Sequence, residues 1–215
     1  MNILPKIGVI TVSLFLCACL TQIDSPSIPQ SENSPEAKED ISSELYYPID
    51  NFTAGITKKP FGVYITPETS PVQPERFTGY HTGVDIETTP EQQDEPVQIY
   101  SISDGTIELN RFVNGYGGVL ILSFKLNGQS YSALYGHLKT PTDISVGDEV
   151  SVGQTLTVLG TGFSNETDGE RKHLHFSLRP GIDLTLNGYV QKRSELSAWI
   201  DPQEFFSSHS AAEPE

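Results

Sequence analysis

The chain of 215 residues has five histidines, and four of them fall in three short stretches that could build one reactive centre. In GYHTGVDIE, His81 and Asp85 stand four residues apart with Gly83 between them. KHLHF carries His173 and His175, separated by one residue, and LYGHL carries His137. If KHLHF is a strand, residues i and i+2 project from the same face. His173 and His175 then share one space, while Leu174 and Phe176 face a core. Two imidazoles on a face serve as two ligands, or as one ligand and one acid–base group; the plainer alternative is a pair of half-exposed edge histidines. An i, i+4 pair also suits a helix face, but Gly79 and Gly83 disfavour helix here. The glycine is instead expected to let the chain curl until imidazole and carboxylate converge.

Each pattern alone is weak, and the combination is stronger. Two histidines and a carboxylate form a ligand set for catalytic zinc, with the fourth position left to water. Zinc brings the pKa of such water towards about 7, which makes a nucleophile at neutral pH. His137 alone reads as a turn histidine at a strand end. Taken with the others, it brings four histidines to one site, two as ligands and two as acid–base or supporting groups. No HExxH occurs, so the glutamate base of helix-based metalloproteases is missing and histidines must do that work. A non-haem iron triad also uses two histidines and a carboxylate. Such triads favour a closer His–carboxylate spacing, and an exported location suits ferrous iron poorly.

The elements that must position these residues read as strands. No long apolar stripe of period 3.6 occurs, and β-branched and aromatic runs alternate with glycine-containing turns. Strand candidates are 97–102, 105–109, 119–126, 129–135, 154–159 and 173–178. Asn127-Gly128 between two of them predicts a hairpin, because a type I′ turn needs positive φ at both central residues. NGYGG (114–118) marks another tight connection, in which Asn114 and Tyr116 read as turn formers. Only Ser194–Trp199 hints at a helical turn. The fold class is mainly β, an antiparallel barrel or sandwich.

Flanking segments divide the chain further. Residues 1–19 read as a signal peptide whose apolar run, IGVITVSLFL, is too short to span a bilayer of about 30 Å. Both cysteines lie at its end, which excludes a disulfide framework for the remainder. Ala18-Cys19 has the form of a lipobox, so Cys19 is the expected lipidation site. Residues 20–44, rich in Ser, Pro and Glu, read as a disordered tether. A domain over 45–206 follows, then a disordered tail over 207–215 with His209 in solvent. The formal net charge of −15 argues against nucleic acid, since little positive charge is available to displace counterions. It also argues against loose adhesion to anionic surfaces, leaving membrane contact to a lipid anchor.

The motifs together resemble a known family. His81-x-x-x-Asp85, Tyr135-Gly136-His137 and His173-x-His175, with DGTIE, NGYGG and VGDEVSVGQ between them, occur in the order of the lysostaphin/LytM-type zinc endopeptidases. The likeness runs from about Pro60 to Pro202. It implies Zn²⁺ held by His81, Asp85 and His175, with His137 and His173 as the catalytic pair beside the bound water. It implies a β-barrel or sandwich like the duplicated hybrid motif of lysostaphin-like catalytic domains, here as a monomer at the cell envelope acting on peptidoglycan peptides. The alternative is a non-catalytic wall-binding or hydrolase-activating module on the same fold. Arg171, in the polar loop 161–172, reads as a solvated loop charge rather than a reader of a substrate carboxylate; Tyr80 and Tyr135 read as packing residues. Lipidation at Cys19 predicts incorporation of labelled palmitate that is lost in Cys19→Ala, and label retained by that variant refutes the assignment.

Overall fold

The computed structural model describes residues 45–214; the expected signal peptide, Cys19 and the tether lie outside the described residues. In chain order the first elements are β1 (Leu45–Tyr46), α1 (Phe52–Gly55), β2 (Tyr64–Ile65), β3 (Gly79–His81), β4 (Val84–Glu87), β5 (Gln98–Tyr100) and β6 (Gly105–Val113). There follow β7 (Gly117–Leu126), β8 (Gln129–Leu138), β9 (Glu149–Val150), β10 (Thr155–Val158), β11 (His173–Pro180), β12 (Tyr189–Val190), α2 (Pro202–Ser208) and β13 (Ala211–Ala212). The expected mainly antiparallel β fold is observed. One six-stranded sheet, ordered β4-β11-β8-β7-β6-β9, dominates; it is open rather than closed into a barrel. A small sheet, β12-β3-β2, carries His81, and β5 pairs with β10.

Alternation along the long strands assigns the two faces of the main sheet. Leu120, Leu122, Phe124, Tyr135, Leu174, Phe176 and Leu178 point into one buried cluster, together with Val84 and Ile86 of β4. Val119, Ile121 and Leu134 point the other way, into a smaller cluster with Leu109 and Tyr116. The histidines of β11 lie in the same phase as Ser177, away from the main core. The β7–β8 hairpin turns at Asn127 and Gly128, with φ of 51° and 76°, as the type I′ requirement predicts. The helical turn hinted at over Ser194–Trp199 is met by a 3₁₀ turn over Arg193–Ala198.

Two expectations are corrected at the C-terminal end. α2 was not anticipated, although Asp201-Pro202 is a start signal: Asp201 accepts from Gln203 N–H at 2.9 Å and Pro202 occupies the first turn. The segment 207–215, expected to fray, is ordered through most of its described length. Phe205 and Phe206 are buried, His209 Nδ1 lies 2.8 Å from the Phe205 carbonyl, and Leu45 pairs with Ala211 in parallel register. Two buried phenylalanines anchor the helix, and the β1–β13 pairing ties down the chain beyond it. His209 is half-buried against Phe205, at 4.7 Å between ring centroids.

Gly83 sits where β3 hands over to β4, against β11. A Cβ there would collide with the Phe176 carbonyl oxygen and lie 2.9 Å from Ser177 Cβ. The glycine therefore serves close backbone approach; its φ lies outside the left-handed region, so conformational freedom is not the reason. Gly83→Ala is expected to overpack this contact and cost about 1–3 kcal/mol, read as a lowered urea midpoint. An unchanged midpoint would show that β4 and β11 tolerate separation.

Candidate functional site

The site follows from register. On β11 and β4, His175 stands opposite Asp85 and His173 opposite Glu87. Because side chains alternate, His173, His175, Asp85 and Glu87 share one face while Leu174, Phe176, Val84 and Ile86 enter the core. His81 arrives from β3, where it pairs with Tyr189 of β12. His81, Asp85 and His175 are all buried, and each offers an atom within 4.8 Å of the others. The separations are 3.1 Å from His81 Nε2 to His175 Nδ1, 3.1 Å from His175 Nδ1 to Asp85 Oδ1, and 3.3 Å from His81 Nε2 to Asp85 Oδ1.

His137 reaches the same space by a different device. Strict alternation would put it beside Tyr135, in the main core. The β7–β8 register shifts here: Val119 opposes Gly136 and Gly118 opposes Leu138, so His137 is the extra residue of a bulge. Its φ is 62°, a left-handed conformation unusual for a residue with a side chain. Its N–H donates to Tyr116 O and its carbonyl accepts from Gly160 N–H, at 3.1 and 2.9 Å. The bulge turns the imidazole towards His173, with ring centroids 4.3 Å apart.

Hydrogen bonds select the nitrogens available for chemistry. His81 Nδ1 lies 3.3 Å from the Pro60 carbonyl, so the proton rests there and Nε2 is bare. His173 Nδ1 lies 2.9 Å from the Arg171 carbonyl, which likewise frees its Nε2, 3.3 Å from Asp85 Oδ2. Burial lowers the pKa of His175 to about 4, against the opposing pull of Asp85. His137 is pushed well below its ordinary value by burial and by the neighbouring His173. Burial alone would raise Asp85, but positive charge on His173 and His81, acquired when they are protonated, holds its carboxyl well below the usual carboxylate range. Burial raises the hydroxyl of Tyr116 far above its ordinary value, so it stays protonated, 3.5 Å from His175 Nε2. A cavity of about 300 Å³ opens over Asp85, His137, His173 and His175.

Sequence reasoning misplaced or missed several residues here. Arg171 is not a solvated loop charge: its side chain is 12% exposed and pairs with Asp85 and Glu87. Opposed by burial but held by Glu87 and Asp85, its guanidinium keeps its proton more firmly than usual. Tyr116 is buried against His137 and His175 rather than only forming a turn. Tyr135 is fully buried, with its hydroxyl accepting from Ile102 N–H at 3.2 Å. Tyr80 packs on Tyr64, outside this cavity. Lys59, Glu87 and Tyr189 were overlooked. Glu87 alone had a signal, since it follows Asp85 by two and shares its strand face. Lys59 and Tyr189 meet across 130 positions, with Nζ 3.1 Å from the phenolic oxygen.

The model of peptidase family M23 matches residues 79–188, a stretch that includes His81, Asp85, His137, His173 and His175. No sequence among curated proteins matches the chain. Among solved structures, the catalytic domain of the antimicrobial peptidase lysostaphin from Staphylococcus simulans is 22% identical, with a TM-score of 0.48 over 74% of this chain and 98% of that one. LytU is 21% identical, with a TM-score of 0.45 over 72% of this chain and 88% of the other. A zinc-containing peptidase from Vibrio cholerae is 25% identical, with a TM-score of 0.40 over 65% of this chain and 40% of that one.

The buried imidazoles set a pH window for stability. His137 and His175 bind fewer protons folded than unfolded, where the pKa is about 6.5. Their contribution is complete above that value and is lost as pH falls towards the folded one, about 4 for His175. Metal-free protein is expected to lose urea resistance progressively across this interval, with a shallower slope in His137→Phe. A midpoint that does not move over the same interval contradicts the assignment.

Proposed function

The chain belongs to peptidase family M23, and from that premise we propose a zinc-dependent endopeptidase that hydrolyses peptide cross-links or stem peptides of bacterial peptidoglycan. One observation carries the metal: three buried donors, Asp85 and His175 lining the cavity and His81 beside them, form a triangle with sides of 3.1, 3.1 and 3.3 Å. A tetrahedral ion with bonds of about 2.0–2.1 Å needs ligands roughly 3.3 Å apart, so this donor set fits zinc. His81 Nε2, Asp85 Oδ1 and His175 Nδ1 would hold it. Bound there, the ion would supply Lewis acidity, polarising the scissile carbonyl and acidifying water.

The remaining work falls to side chains. His173 is the general base at Nε2, since its Nδ1 proton is committed to the Arg171 carbonyl at 2.9 Å. Nε2 lies 3.3 Å from Asp85 Oδ2, which stabilises the imidazolium formed when it takes up a proton. His137 stays neutral at pH 7. Its Nδ1 is buried without a partner, and an orphaned lone pair costs less than an orphaned N–H. The proton therefore rests on Nε2, a donor for the oxyanion that develops on the substrate carbonyl. Phe77, Tyr116 and Tyr189 line the cavity around these groups and limit their contact with bulk water.

Substrate class rests on the family and on the reading of the N-terminal region. A lipid anchor at Cys19 followed by a polar tether over 20–44 would hold the domain at the envelope, within reach of an insoluble wall. The acidic surface disfavours nucleic acid and anionic polymer as ligands. Purified protein, incubated with peptidoglycan of several chemotypes, is expected to release peptides with new amino termini found by mass spectrometry. Chelation should abolish the products. His173→Ala should cut turnover by about 10²–10⁴ while zinc still binds. Bound zinc with no cleavage of any wall would instead mark a wall-binding or hydrolase-activating module.

A further inference from the structure

Asp85 divides its two oxygens between different partners. Oδ1 faces His81 Nε2 and His175 Nδ1, at 3.3 and 3.1 Å. Oδ2 accepts from Arg171 Nη2 at 2.9 Å and faces His173 Nε2 at 3.3 Å. Arg171 is itself held from behind: its Nε lies 2.9 and 3.1 Å from the two oxygens of Glu87, and its Nη2 also reaches Glu87. Lys58 Nζ closes the row, 3.2 Å from Glu87 Oε2. Glu87 sits two residues beyond Asp85 on the same strand face, so without the guanidinium two carboxylates would crowd one site. Arg171 keeps them apart and occupies the oxygen that would otherwise be free to join Oδ1 at the ion.

We propose that Arg171, clamped by Glu87, is a positioning residue that holds Asp85 to one-oxygen coordination and keeps Glu87 out of the coordination sphere. This inference rests on the zinc reading of the site. It assigns Arg171 away from substrate: its donors face Asp85 and Glu87, and side-chain exposure of 12% leaves little for a ligand carboxylate. Partners that orient a ligating carboxylate contribute about 10–100-fold in metal affinity. A planar fork presents its donors to both carboxylates in a fixed geometry, whereas an ammonium is a point charge on a flexible stem, so lysine is an incomplete replacement.

The test is zinc affinity, measured on wild-type, Arg171→Ala, Arg171→Lys and Glu87→Gln proteins by competition with a chromophoric chelator. The absorption of the cobalt-substituted forms reports coordination number, and circular dichroism checks folding. Arg171→Ala is expected to weaken zinc binding by about 10–100-fold and to lower the intensity of the cobalt bands as a second protein oxygen enters. Arg171→Lys should lie between it and wild type, and Glu87→Gln should weaken binding less than Arg171→Ala. Should Arg171→Ala fail to fold, the lysine and glutamine variants carry the comparison. Wild-type affinity and spectrum in the folded Arg171 variants overturn the proposal. So would a raised KM with unchanged kcat and affinity, the signature of a residue that reads substrate. A wild-type protein that binds no zinc brings down the reading of the site itself, an outcome separable from the others.

Discussion

The antiparallel pairing of β4 with β11 is the constraint on which the rest of the molecule depends. Its register sets His175 against Asp85 and His173 against Glu87, and a slip of one residue would exchange the polar and apolar faces of both strands. The imidazoles would then enter a core built from Leu174, Phe176, Val84 and Ile86. Burial of those apolar side chains, each contributing about 1.5–3 kcal/mol, is what specifies the register. The chemistry on one face is thus held in place by hydrophobic packing on the other. Gly83 lets the two backbones meet closely enough for the pairing to begin beside His81.

Charge is concentrated in the polar half of the site, where an unpaired group would be costly. Asp85, Arg171, Glu87 and Lys58 alternate in sign along one row. A second buried group lies at the cavity's other rim: Glu75 pairs with Lys59 and accepts from Ser70 and from the backbone of Phe77, at 2.9 Å each. Burial pushes Glu75 up, but Lys59 and these donors more than offset it, leaving its carboxyl below the ordinary value. That anchor holds the loop before β3, and Phe77 from this loop stacks on Tyr189 at 5.5 Å. Arg76 ties the same loop to Asp168 and Glu170. Strands supply the floor of the cavity, and ion pairs fix its walls.

A site organised this way suits peptide hydrolysis because its parts are set before substrate arrives. Two imidazoles have their protons assigned by the Pro60 and Arg171 carbonyls, and His175 is kept neutral by burial. Little reorganisation is left for the reaction itself, the condition under which fixed dipoles are most effective. The strain of His137, held in the left-handed region by contacts on both sides of its peptide, belongs to the same pre-set arrangement.

By itself the sequence determined the local matters. Period-two alternation marked the strands, Asn127-Gly128 marked the hairpin, and residue type with spacing singled out His81, Asp85, His137, His173 and His175. These signals are short-range, carried by steric preferences and side-chain direction within a few residues. Tertiary structure decided where they meet. His137 by parity belonged to the core, and only a bulge against β7 re-aims it. Arg171 looked like a loop charge because its partners lie more than eighty positions away, on β4. Tyr116 and Tyr189 have no local mark at all. Such roles depend on which strands become neighbours, and that is settled by burial summed over the whole domain rather than by any stretch of sequence.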